Sequence, residues 1–373
     1  MRPDSPAETK SRSLAALGMT PAAVAALTLL LVLALVWPSR SLILTGANDF
    51  LSFYAGARLA GTGDLYNPAR ASQIQLQAAG TTGERLRYIR LPWFAGLLWP
   101  LGRLPYAQAY LIWQCLNAMA FLGFLALWPP SSSPGVAVAG LSFLPVYWSL
   151  VNGQDLTLLL LWIAGAVRLV ESGRPLAAGL LFSLCAAKFH LFALVPVLVI
   201  RRRLGRFAAG SLAGLAGLLA ISFAVAGPTW PQQYLQTVWG GGIHPGPEVA
   251  PNVYRLAALP RWALAACVVA AVWIAARRGT FQHGLAITLL GGVLISPHVF
   301  LQDLALWLPA ALAIRSEAQN RLARVLAALL LTPVCYLVEL ALPPPWGAVL
   351  PLAGLLLIYA AAFDALRARR YAS

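Results

Sequence analysis

The chain has 373 residues, of which 60% are hydrophobic and only 10% charged, with a formal net charge of +15. Soluble domains carry about 25% charged residues, so this composition, with a mean hydropathy of +0.73, excludes a water-soluble globular protein. Apolar stretches of about 20 residues recur from end to end, the pattern of an all-α polytopic membrane protein. The alternating segments of a membrane β-barrel are absent.

The surplus charge gives no support for a nucleic-acid partner, because it is clustered between apolar runs. "RRRLGR" at 201–206, "RR" at 277–278, Arg315, Arg321 and Arg324, and "RARR" at 367–370 have this character. Such clusters mark cytoplasmic loops and attract anionic lipid headgroups. Arg2, Lys10 and Arg12 place the tail 1–21 in the cytoplasm. The apolar run at 22–37 reads as an uncleaved first span, since no convincing small-residue cleavage site follows it. Cys115, Cys185, Cys267 and Cys335 lie far apart inside apolar runs, as small core hydrophobes do, and imply neither a disulfide framework nor a zinc site.

In chain order, a polar segment at 38–91 emerges outside after the first span. "LPWFAGLLWPLG" then lies in or dips into the interface. Further spans are predicted at roughly 106–128, 136–150, 156–170, 176–187, 190–200, 206–226, 260–276, 284–296, 301–314, 325–342 and 346–364. The total is about twelve crossings, within a range of about ten to thirteen, with both termini cytoplasmic. Several are too short to cross without kinks or helper loops. The transmembrane region 22–366 forms one domain, followed by a tail at 367–373. The loop at 228–260, rich in Gly, Pro and Trp, has the length and character of a lid or binding loop. No internal repeat of the inverted-repeat transporter kind is visible.

This topology gathers the chemistry-bearing residues on the extracytoplasmic side: Asp49, "NGQD" at 152–155, Lys188 with His190, His244, and "SPHVFLQD" at 296–303. Asp49 in "NDFLSFYAGARLA" is either a helix N-cap or a general base at the membrane surface, with Phe50, Phe53 and Tyr54 as a platform for a sugar ring and Arg58 close behind. Lys188 sits in "LLFSLCAAKFHLFALVPVLV", where an unpaired ammonium at mid-membrane costs about 2.5–3.5 kcal/mol. It either snorkels at the end of a short span or pairs with an anionic headgroup, a pocket that His190 would strengthen. His298, beside Pro297 at a break between spans, either donates to a phosphate oxygen or meets water or a helix end; Asp303 lies five residues beyond. Asn152, Gln154 and Asp155 are a turn with an N-cap or a polar substrate contact. The acids and histidines are scattered singly, so no metal is expected.

Taken in order, these segments resemble the membrane glycosyltransferases of the GT-C superfamily, and within it family 87, the polyprenol-phosphate-mannose-dependent mannosyltransferase-like group. The points of match are "NDFLSFYAGARLAGTGDLYNP", "LPWFAGLLWPLGRLP", "NGQDLTLLLL", "RPLAAGLLFSLCAAKFHLFALVPVLVIRRR" and "SPHVFLQDLALWLPAAL". The resemblance implies a GT-C-type fold and inverting transfer of a hexose from a polyprenyl-phosphate-sugar donor to a glycolipid or glycan acceptor. It implies Asp49 as the base, with Lys188 at the family's lysine and His298 in its later histidine motif. Tyr54, Arg58, Tyr88, Asn152, Gln154, His190 and Asp303 complete the candidate donor- and substrate-binding set. Membrane lipids surround the chain; no nucleic acid, metal or further cofactor is expected. The chain departs from the family pattern at "YIRLPW", where tyrosine-proline-proline is usual, and at Lys188-Phe189 in place of lysine-proline. Abundant Ala and Arg, with no eukaryotic sorting signal, point to a bacterial plasma membrane. The rival class is a transporter or flippase, with Lys188 and His298 as pathway charges; a structural envelope subunit would give no reason for polar groups to gather on one face.

Overall fold

A computed structural model describes residues 26–370, apart from 27–29, 31–32, 35–36, 81–85, 130–133, 241–249, 257–259, 278 and 342–347. Most of the first predicted span, the tail at 1–21 and His244 lie outside the described residues. Every regular element among the described residues is helical, and the chain is a polytopic membrane protein.

Proline sets many of the helix starts. Its fixed φ suits the first turn, and its missing N–H is one that would have no intrahelical partner there. Helices α1 (Phe50–Leu59) and α2 (Pro68–Ala79) form the outer segment, followed by α3 (Pro92–Gly102). Next come α4 (Tyr106–Leu127), α5 (Leu144–Val151), α6 (Leu156–Glu171), α7 (Pro175–Phe182) and α8 (Val195–Arg202). Further helices of the bundle include α9 (Gly205–Ala226), α10 (Trp230–Trp239), α11 (Arg261–Ala275), α12 (Phe281–Ile295), α13 (Trp307–Glu317), α14 (Arg321–Leu330) and α15 (Val349–Arg370).

Among the described residues, Tyr106–Leu127, Pro175–Phe192, Gly205–Ala226 and Val349–Arg367 are long and apolar enough to cross a membrane. Arg261–Ala275 and Phe281–Ile295 are shorter apolar helices. The bundle is apolar at its centre and also on its flank. In α12 every residue from Gln282 to Leu294 is buried, whereas α9 exposes Leu212, Leu215, Leu219, Ile221 and Phe223. Such an outward face is stable only where lipid is the solvent.

The segment 175–192 is not one rod. Lys188 has φ −130° and ψ 52°, outside the helical region, in the middle of a 3-10 stretch. Phe182 and Phe192 have ring centroids 5.5 Å apart, although ten residues of straight helix would separate them by about 15 Å. The chain therefore doubles back near Lys188, and the short spans predicted at 176–187 and 190–200 are the two arms of a hairpin. The return of α8 lets α9 run parallel to α7. Glycine makes that contact possible: a Cβ on Gly210 would lie 2.0 Å from the Leu176 carbonyl oxygen, and one on Gly179 would lie 2.1 Å from that of Phe207. The segments predicted at 136–150 and 325–342 are each interrupted, at Ser142–Phe143 and Leu331–Pro333, and 301–314 starts as a 3-10 turn.

These directions give the bundle two distinct ends. At one, Arg201 and Arg202 donate to the carbonyls of Trp273 and Ala276, and His283 faces Glu317 at 3.7 Å. The opposite end brings together Asp49, Gln154, Lys188, His190, His298 and Asp303. Gly210→Ala should lower the thermal midpoint of the detergent-purified protein, at a cost of about 1–3 kcal/mol for overpacking. Gly217→Ala on the same helix meets nothing within 4 Å and should hold the midpoint or raise it slightly through helix propensity, which differential scanning fluorimetry would check.

Candidate active site

The site begins with the turn that follows α5. Gly153 has φ +64°, and a Cβ there would lie 2.5 Å from Asn48 Oδ1, so both conformation and space demand glycine. Asn48 Nδ2 donates to the Val151 carbonyl (2.9 Å), and the Asp49 amide donates to the Asn152 carbonyl (3.0 Å). Trp113 Nε1 donates to the Gly153 carbonyl (2.9 Å), and its ring stacks on Phe50 at 5.4 Å. The start of α1 is thus docked onto the "NGQD" turn, which aims Gln154 toward Asp49 and Asp155 toward Arg90 and Lys188.

Asp49 does not act as a cap. It precedes α1, but its side chain makes no capping bond; Asn48 Oδ1 accepts from the Phe50 amide instead. Gln154 Nε2 donates to Asp49 Oδ2 at 2.5 Å. Burial raises the Asp49 pKa above the ordinary carboxylate value, opposed by the Gln154 hydrogen bond and by the fields of Lys188 and Arg90.

From Gln154 a chain of polar groups runs inward. Arg90 Nη2 donates to Gln154 Oε1 (3.0 Å) and to Asp155 Oδ1 (2.9 Å). Lys188 Nζ lies 3.9 Å from the same Asp155 oxygen and 2.5 Å from Asp303 Oδ1. Asp303 Oδ2 accepts from the Phe300 amide (2.9 Å), tying the series to the 3-10 turn Leu301–Leu306. Arg90, Asp155, Lys188 and Asp303 are all at most 4% exposed. By holding Gln154 Oε1, Arg90 fixes the amide flip so that Nε2, not Oε1, faces Asp49.

A cavity of about 210 Å³ opens beside this series, lined by Asp49, Phe53, Arg87, Lys188, His298 and Gln302 among others. The imidazoles of His190 and His298 meet edge to face at 5.5 Å. Among the described residues, Arg87 is the cation of this wall with no carboxylate partner, and no three His, Cys, Asp or Glu converge as a metal site would require.

Other predicted residues are placed differently. Tyr54 donates to the Leu104 carbonyl (2.8 Å) and Arg58 lies against its ring, both away from the cavity. Phe50 and Tyr54 are packed among Tyr106, Tyr110 and Trp113, so of the three aromatics only Phe53 borders the cavity. The Asn152 side chain bonds back to the Trp148 carbonyl, and it is the Asn152 main chain that positions Asp49. Tyr88 borders a neighbouring cavity. Arg90, Arg87, Ser52 and Gln302 were not among the predicted residues; Ser52 could have been found from its i+3 spacing to Asp49 on one helix face.

A family model described as "Glycosyltransferase family 87" matches residues 88–297, more than half of the chain. The chain belongs to glycosyltransferase family 87. No curated protein and no solved structure gives a match. The matched region includes Arg90, Gln154, Asp155, Lys188 and His190; Asp49 and Asp303 lie on either side of it. The family 87 chain is therefore a glycosyltransferase with a polar cavity at one end of a membrane bundle. Membership favours transfer chemistry over the transporter alternative.

Arg90→Met should be strongly destabilising, by about 3–5 kcal/mol, because it leaves the buried Asp155 carboxylate with only the longer 3.9 Å contact to Lys188. The double variant Arg90→Met/Asp155→Leu should recover most of that loss, as read by thermal unfolding in detergent.

Proposed function

We propose that this protein is an inverting hexosyltransferase with a GT-C-type fold. It moves a hexose, with mannose the first candidate, from a polyprenyl-phosphate-sugar to a glycolipid or glycan hydroxyl. The reaction takes place at the extracytoplasmic face of a bacterial plasma membrane. The observation that carries this reading is Asp49. Its carboxylate lies on the cavity wall with one oxygen held by Gln154, and the other makes no hydrogen bond among the described residues. A base needs that second oxygen for the acceptor's proton.

In the proposed reaction the acceptor oxygen attacks the anomeric carbon from the face opposite the phosphate. Its proton passes to Asp49, and the bond to the phosphate oxygen breaks. Polyprenyl phosphate leaves with the electron pair. Direct displacement of this kind needs one carboxylate and inverts the configuration. Lys188 reaches the cavity already bonded to Asp303, so much of its charge is balanced. Arg87, with His298 and Lys188 beside it, is the cation assigned to the leaving phosphate.

Asp49→Asn should abolish transfer of labelled mannose from polyprenyl-phosphate-mannose in membranes, by 10³-fold or so on the scale of lost acid–base groups. The same variant should fold as well as the wild type or better. A carboxyl whose pKa is raised by folding destabilises the native state at pH values where it is ionised, and asparagine removes that cost. Equal labelling in mutant and wild type would remove Asp49 from the chemistry.

The pH dependence has a definite sign. The base acts when ionised, so kcat/KM should fall as pH drops through a pKa displaced upward from the ordinary carboxylate range. Gln154→Ala removes a donor that favours the ionised form, and should move the acid limb to still higher pH. An unmoved limb in that variant would disconnect Gln154 from the base.

A further inference from the structure

A second cavity, of about 380 Å³, adjoins the first. It lies between the start of α2, the extended strip Leu86–Tyr88 and α10. Leu86 and Arg87 line both cavities, so the wall between them is a single strip of main chain. That strip is pinned from each side: Ser52 Oγ donates to the Arg87 carbonyl (3.0 Å), and Gln75 Nε2 donates to the Leu86 carbonyl (2.8 Å).

The lining differs in kind from that of the Asp49 cavity. Asn67, Ser72, Gln75, Gln233, Gln236 and Thr237 supply neutral amides and hydroxyls, with the rings of Tyr66 and Tyr88 beside them. Neutral groups that both donate and accept, set against aromatic rings, match the alternating hydroxyls and C–H faces of a sugar. The volume falls within the range of small-molecule sites, about 300–1,000 Å³. Gln75 is only 1% exposed, yet among the described residues its Oε1 accepts no hydrogen bond. A buried amide oxygen left without a donor is uncommon and costs stability; the atom has almost no surface of its own, so a ligand hydroxyl reaches it when the side chain turns toward the cavity.

Resting on the transferase reading, we infer that this second cavity is an acceptor subsite. It holds the sugar unit next to the one whose hydroxyl reaches Asp49. The substrate class that follows is an acceptor of at least two linked sugars, and not a lone monosaccharide or a bare lipid alcohol. The donor is the poorer occupant, since Arg87 is shared by both cavities and the rest of this lining offers its phosphate mostly amides and hydroxyls, while the Asp49 cavity adds Lys188 and His298. Asp64, the carboxylate of this lining, is already engaged by Asn67 Nδ2 (3.2 Å) and Arg70 (3.6 Å).

Binding can be tested without donor or turnover. Saturation-transfer NMR on the full chain in nanodiscs would use methyl α-mannoside and the methyl disaccharides of mannose, glucose and galactose as probes. At least one disaccharide should bind the wild type, with signal in both rings and more tightly than the monosaccharide. Gln75→Leu and Gln236→Ala should each weaken it about fivefold, the effect of one lost hydrogen bond of about 1 kcal/mol. Gln236 is exposed on α10, so its variant keeps the test valid if the Gln75 change impairs folding. The inference is overturned if no disaccharide binds, if both variants bind as wild type does, or if the monosaccharide binds equally well. Expected binding without any transfer to that disaccharide would count against the transferase reading and leave the subsite standing.

Discussion

A buried series of opposite charges, Arg90 to Asp155 to Lys188 to Asp303, holds this end of the molecule together. Each partner comes from a different stretch of chain: the strip before α3, the start of α6, the hairpin apex and the turn before α13. Isolated, each of these charges would be intolerable at such burial; together they satisfy one another. The arrangement therefore demands that four segments arrive in register, and it converts a set of short, broken helices into a single rigid wall. Asp49 and Asp303 both border the cavity, but Asp303 is neutralised by Lys188, whereas Asp49 has no salt bridge among the described residues.

Much of this was legible in the sequence because membranes make polar residues conspicuous. An acid directly after a span, a lysine amid a dozen apolar residues and a proline-histidine break each signal expense, and expense marks function. The gathering at one end also followed from charge bias alone, since alternating the crossings brings 49, 154, 188 and 298 to the same side. Arg90 could not be found this way. It lies in a polar segment with other arginines, and only contact with Asp155, 65 residues away, distinguishes it. It sits, moreover, in the "YIRLPW" stretch where the family pattern is broken. Tyr54 and Arg58 misled for the opposite reason. Both are near Asp49 in sequence, but about 100° per residue of helical rotation turns them toward Tyr106 and Leu104, away from the cavity.

The partition between the two cavities ties their occupants together. Ser52 and Gln75 grip consecutive carbonyls of one strip from opposite sides. A ligand that displaced or strengthened either bond would shift the strip, and with it Arg87, which borders both spaces. Any such effect must be reciprocal: if an acceptor alters donor affinity, the donor alters acceptor affinity by the same factor.

The shortness of the hairpin has a consequence for the surrounding lipid. From Lys188 to Arg202 is one arm, whose height at 1.5 Å per residue is on the order of 20 Å. A bilayer's hydrocarbon core is about 30 Å thick. Around arms this short the two leaflets must pinch together or the headgroups must sink toward the apex. Either way, lipid headgroups beside the apex are drawn down toward the level of Lys188.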